Sequence, residues 1–209
     1  MPVILNKKEK NYHMGIWQVE EDFDTLFSQV NLNEQDCNTL HGFQSNSRKI
    51  EWLSVRVLLK QILNNDSGIY YDNRRKPYIT GNTKNISISH SNKITSVLIS
   101  EHHKVGIDLE YMSHRIDRIS DRFMNKKEYI NCNKELVRYH LYIHWCAKEA
   151  LYKICDKDGL NFKTNLIILP FEPEEKGVIK GHVIRGRQNE EFTLNYFKFD
   201  NYIVVWCLK

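Results

Sequence analysis

Apolar residues recur at helical spacing along SRKIEWLSVRVLLKQIL, residues 47–63. Ile50, Leu53, Val57 and Ile62 share one face, while Arg48, Glu51 and Lys60 fall on others. This predicts an amphipathic helix, stopped by the turn-forming NNDSG. Upstream, GIWQVE reads as a first strand, and residues 21–45, polar with spaced Phe and Leu, suggest short helices. Downstream the period switches to alternation in IYYD, KPYI, NISISHS, ITSVLIS and HKVGIDLEY, with Asn92 and Lys93 placed for a hairpin turn. A second helical block is predicted over 117–155, broken around Asn131–Asn133. The β-like runs LIILP, VIKGHVIR, EFTLNYFKF and YIVVWCLK close the chain.

Strands, helices and strands thus occur in segregated runs, twice, which predicts an α+β fold with antiparallel sheets. The seam near residue 103 divides the chain into half-domains 1–103 and 104–209. No residue-level repeat relates them, and no Pro/Ser/Gly-rich linker separates them, so the halves are expected to be closely docked.

Composition narrows the function class. The chain has 209 residues, 41% hydrophobic and 27% charged, which is ordinary for a globular protein. Lys and Arg number 30 against 26 Asp and Glu, a net charge of +4. That suits an anionic ligand or acidic partner and falls far short of a nucleic-acid-coating protein. The start, MPVILNKKEKNYHMG, places a short apolar run ahead of its basic residues, the reverse of a signal peptide, and no apolar run would cross a bilayer. Cys37, Cys132, Cys146, Cys155 and Cys207 are scattered without CxxC pairing, so reduced thiols and a cytoplasmic location are expected.

Four stretches could carry chemistry. In VGIDLEY, strand alternation puts Gly106, Asp108 and Glu110 on one face, where two carboxylates could share a hard cation such as Mg²⁺. The plainer reading is an amphipathic strand with a solvated acidic face. In WCAKEALYK, Trp145, Glu149 and Lys153 share one helical column, with Lys148 at its edge. That is either a surface ion-pair cluster or one wall of a metal and phosphate site. KPYITGNTKNISISHS offers Lys76, Ser89 and His90 as phosphate donors, or else a solvated lysine and a strand-end histidine. The 47–63 helix offers Arg48 and Arg56, about two turns apart, or else a merely solvated surface. No G-x-S-x-G elbow, G-x-G-x-x-G loop, P-loop or H-E-x-x-H pattern is present, and the basic residues are not interleaved with aromatics as in a single-strand binder.

The order of these stretches resembles the 4′-phosphopantetheinyl transferase superfamily, in its longer, surfactin-synthetase-activating type. GIDLE is similar to that family's G-(I/V)-D-x-E motif and WCAKEALYK to its W-x-x-K-E-(A/S)-x-x-K motif. RFMNKKEY (122–129) and NISISHS resemble two further elements of the family. GIDLE alone is weakly specific; paired with the tryptophan motif at a spacing of about forty residues it is strong. The family's Gly before Lys-Pro is replaced here by Arg75, and the first forty residues match only vaguely.

The resemblance implies a holo-acyl-carrier-protein-synthase type enzyme moving the phosphopantetheine arm of coenzyme A onto a serine of an acyl or peptidyl carrier protein. Adenosine 3′,5′-bisphosphate is the other product. It implies a monomer of two similar half-domains related by a pseudo-twofold axis, with coenzyme A between them. The first half would supply nucleotide contacts and the second metal and catalysis. Asp108, Glu110 and Glu149 would hold Mg²⁺, or Mn²⁺; Glu149 would act as base; Lys153 would stabilise the leaving phosphate. Lys148, Lys76, Ser89, His90, Arg48 and Arg56 would contact coenzyme A, and Trp145 would anchor the helix. The rival readings are another Mg²⁺-dependent phosphoryl enzyme and a non-catalytic coenzyme A or nucleic-acid binder.

Overall fold

The computed structural model describes residues 3–131, 133–156 and 159–209. Cys132, one of the thiols expected to be reduced, lies outside them. The chain divides into two compact units, Met1–His103 and Lys104–Lys209. The fold is mixed α+β with antiparallel sheets.

The first unit opens with a hairpin, β1 (Val3–Lys8) and β2 (His13–Gln18). Only β2 was expected from sequence; β1 is an exposed edge strand whose polar NKK tail hides its period. Two short helices follow, α1 (Phe23–Phe27) and α2 (Glu34–His41), capped by the side chains of Asp22 and Asn33. Then comes the long helix α3 (Asn46–Leu63), ending at Asn64 in the left-handed region (φ 54°). A small hairpin, β3 (Ile69–Tyr71) and β4 (Pro77–Ile79), leads to β5 (Asn85–Ser91) and β6 (Ile94–Ser100). Asn92, at φ 54°, makes the turn between β5 and β6. The main sheet runs β1-β2-β6-β5. Leu53, Leu58 and Leu59 of α3 pack with Trp17, Ile86, Val97 and Ile99 to form its core.

The second unit begins with β7 (Val105–Tyr111), then α4 (Arg115–Phe123) and the long α5 (Lys134–Ile154). Strands β8 (Leu166–Ile168), β9 (Lys176–Arg185), β10 (Gln188–Phe199) and β11 (Tyr202–Leu208) complete it. The sheet order is β7-β11-β10-β9-β8, so the strand before the helices pairs with the last strand. Ile143, Ala147, Leu151 and Ile154 of α5 bury against Leu194, Ile203 and Val205 of the sheet. No described helix is long and apolar enough to cross a membrane.

Candidate active site

β7 explains why GIDLE and WCAKEALYK, distant in sequence, meet. A Cβ at Gly106 would stand 2.2 Å from the Ala150 carbonyl oxygen, so only glycine lets α5 lie this close to the strand. Strand alternation then turns Asp108 to the same side. Its Oδ1 accepts from Lys153 Nζ at 2.8 Å, and Lys153 also donates to the Ile107 carbonyl at 2.9 Å. The expectation of a solvated acidic face is overturned at its first residue: Asp108 is 4% exposed, and Val105, Ile107 and Leu109 are buried as well. A carboxylate this buried must be compensated, and here Lys153 does so.

Cys146, one turn before Ala150, sits between helix and strand with its thiol against Asp108. Burial, then the charges of Asp108 and Glu110, push that thiol well above its ordinary range, so it stays protonated. Sequence reasoning read it only as one of five scattered reduced thiols. Glu110 and Glu149 are half-buried on the two facing elements. Among the described residues, no three of His, Cys, Asp and Glu are grouped closely enough to hold a metal ion. The donor set is nonetheless of the right kind for a hard divalent cation: carboxylate oxygens from β7 and from the helix packed on it.

Beside Glu110 opens a cavity of about 610 Å³, walled by Trp145, Tyr152 and Phe162 and edged by Arg115 and Arg122. Trp145 stacks edge-on with Phe123 at 5.1 Å and lies 5.6 Å from Phe162, the packing role expected of it.

Lys148 corrects the expectation of a phosphate contact. It is fully buried, and its ammonium donates to the Phe123 carbonyl (2.7 Å), the Phe162 carbonyl (3.0 Å) and Glu128 Oε2 (2.7 Å). A turn of 100° per residue separates it from Glu149 and points it into the unit. Although burial alone would raise it, His144, Lys148 and the Ile168 N–H hold the Glu128 carboxyl below the usual range. Glu128 lies in RFMNKKEY, so the signal for this partner was present in the sequence without a role attached.

In the first unit, Arg48, Glu51 and His90 come together. Arg48 Nη1 donates to Glu51 at 2.9 Å and to His90 Nε2 at 3.1 Å. His90 therefore carries its proton on Nδ1, 3.8 Å from Glu51. Arg48 remains half-exposed and able to meet an anion. Ser89 does not join them: it is buried, its neighbours Ile86 and Ile88 lie on the α3 side with His90, and alternation turns it to the opposite face. Arg56 also departs from expectation. It is 5% exposed, its guanidinium lies 3.2 Å over the Trp52 ring, and it donates to Asp36 (2.9 Å) and the Ile69 carbonyl (3.1 Å). It holds β3 and α2 to α3 and does not reach outward. Lys76 sits at the mouth of the β3–β4 hairpin, its ammonium 5.5 Å above the Tyr78 ring.

Residues 104–207 match the model of the 4′-phosphopantetheinyl transferase superfamily. No curated protein matches the chain.

Proposed function

This chain belongs to the 4′-phosphopantetheinyl transferase superfamily, whose members transfer phosphopantetheine from coenzyme A to carrier proteins, and from that premise we propose that it is a Mg²⁺-dependent enzyme of the long, surfactin-synthetase-activating type. Acting as a monomer, it modifies a serine of an acyl or peptidyl carrier protein and releases adenosine 3′,5′-bisphosphate. The observation that carries this reading is the close seat of α5 on β7 at Gly106, which brings Asp108 of one motif to Lys153 of the other.

The residues divide the work as follows. Asp108, Glu110 and Glu149 would hold the divalent cation, which when bound would neutralise charge on the pyrophosphate being cleaved. Glu149, half-buried beside the cavity wall, takes the proton from the carrier serine. Lys153 pairs with Asp108 at 2.8 Å and brings positive charge to the leaving phosphate. Lys148 and Glu128 pin the C-terminal end of α4 and the 123–128 and 162 segments, so the cavity keeps its shape. Arg48, seated against His90 Nε2, contacts a phosphate of coenzyme A, and Lys76 another. Arg115 and Arg122 give the cavity a basic edge suited to an acidic carrier.

The test is the intact mass of an apo acyl or peptidyl carrier protein incubated with the chain, coenzyme A and Mg²⁺. A gain of one phosphopantetheine, lost with EDTA and in Glu149→Ala, is the expected result; unmodified carriers across a panel, with coenzyme A still bound, would make the chain a binder. Mg²⁺ should also raise the melting temperature of the wild type and leave that of Asp108→Asn unchanged, a readout independent of turnover.

A further inference from the structure

The loop NRRKP looks like a solvated charged turn, yet it is tightly organised around one acid. Asp72 Oδ1 accepts from the N–H groups of Arg74 (2.9 Å) and Lys76 (2.8 Å), and Oδ2 accepts from the Tyr78 hydroxyl (3.3 Å). The Asp72 carbonyl accepts from the Arg75 N–H at 2.9 Å, and its N–H donates to the Lys76 carbonyl at 3.1 Å. These bonds hold Arg75 at φ 60°, in the left-handed region that disfavours a side chain and favours glycine. Lys76 follows at once. Its backbone is restricted by Pro77, and its ammonium is backed by the ring of the same Tyr78 that Asp72 anchors.

We propose that Asp72 is a positioning residue. Its carboxylate supplies the hydrogen bonds that force a non-glycine residue into this turn, and the turn so held aims Lys76 at the coenzyme A phosphate. The proposal rests on the reading of Lys76 as a coenzyme A contact. It makes Asp72 and Arg75 a compensating pair: a carboxylate clamp does here what a glycine at 75 would do by conformational freedom. Local side-chain-to-backbone bonds of this kind are what Asp and Asn offer in turns.

The experiment is steady-state kinetics against coenzyme A for Asp72→Ala, Asp72→Asn, Arg75→Gly, the double Asp72→Ala/Arg75→Gly, and Lys76→Ala. Asp72→Ala should raise KM for coenzyme A about tenfold with kcat within about twofold, the loss of an interaction that only binds. Asp72→Asn, which keeps an accepting Oδ1, should stay near wild type. The double variant should recover most of the loss, because glycine takes the left-handed conformation unaided. Amide exchange at Lys76 should quicken in Asp72→Ala and slow again in Asp72→Asn. If Lys76→Ala raises KM but Asp72→Ala does not, or if Arg75→Gly fails to rescue, the positioning role is overturned while Lys76 stands. If Lys76→Ala leaves KM unchanged, the reading of Lys76 falls, and the aim assigned to Asp72 falls with it.

Discussion

In both units the strand before the helices pairs antiparallel with the unit's last strand, and a glycine of that strand lies under the long helix. Gly15 of β2 meets Leu58 and Ile62 of α3; Gly106 of β7 meets Ala150 and Ile154 of α5. Counting from these contacts, Arg56 corresponds to Lys148, Val57 to Glu149, Gln61 to Lys153 and Trp17 to Asp108. The buried cation is kept: Arg56 binds Asp36 and main-chain carbonyls, and Lys148 binds Glu128 and main-chain carbonyls. The neighbouring positions differ. The first unit fills them with Trp17 and Val57, both buried in apolar core, where the second places two carboxylates. The shared frame is therefore structural, and what distinguishes the units is the side chains exchanged on it. The comparison also shows why Arg56 and Lys148, though basic and within motif-bearing helices, do not contact phosphate.

The largest expected difference concerns these cations. Lys148 and Glu128 have fully buried side chains, whereas those of Arg56 and Asp36 are 5% and 14% exposed. Lys148→Met should strand a buried carboxylate and cost about 3–5 kcal/mol. Arg56→Met, with Asp36 able to reach water, should cost about 2 kcal/mol. Urea unfolding followed by fluorescence in backgrounds that keep only Trp145 and Trp206, or only Trp17 and Trp52, with phenylalanine at the other two positions, reads each unit separately. The double Glu128→Leu/Lys148→Met should regain much of the loss. Equal costs for the two single variants would end the distinction.

The glycines sharpen the comparison next. A Cβ at Gly106 meets a backbone carbonyl, which cannot move without shifting α5, while one at Gly15 meets the Cδ1 of Ile62 at 2.6 Å, the far end of a flexible side chain. Gly106→Ala should cost about 3 kcal/mol and abolish transfer; Gly15→Ala should cost about 1 kcal/mol. If the two lose equally in urea midpoint, the helix seats are not different in kind.

The elements were largely legible because each carries its own period: α3 and α5 lie where helical spacing put them, and the strands from Asn85 onward where alternation did. The site was half legible. Asp108 and Glu149 announce themselves through motifs, but the facing of single residues was not readable. Lys148 and Glu149 are adjacent in sequence, and only the packing of α5 on β7 decides which one turns inward. Ser89 and His90 fail as a pair for the same reason in a strand. The repeated run of elements was legible, but the residue-by-residue correspondence between the units was not, because it preserves contact geometry and replaces residue type, arginine by lysine and tryptophan by aspartate.

The last contrast is in pH response. α3 carries no histidine, whereas α5 buries His140 and His144 one turn apart, their rings 5.1 Å from each other. His140 Nδ1 accepts from the Asn131 N–H at 3.1 Å, so the ring is neutral, and Tyr129 and Phe171 close over it. Burial first, then His144, lower its pKa to about 4, against a smaller pull from Glu172. His144, facing Glu128 and Lys148, is lowered too, again mainly by burial. The unfolded chain takes up these protons near pH 6.5, while the folded unit holds out at His140 until about pH 4. Stability from His140 is therefore complete above pH 6.5 and drains as the pH falls towards 4, with an upper bound of about 3 kcal/mol. The urea midpoint read by Trp145 and Trp206 should fall across this window more steeply than that read by Trp17 and Trp52. His140→Gln should flatten the steeper curve; if its slope stays that of the wild type, acid sensitivity lies elsewhere in the second unit.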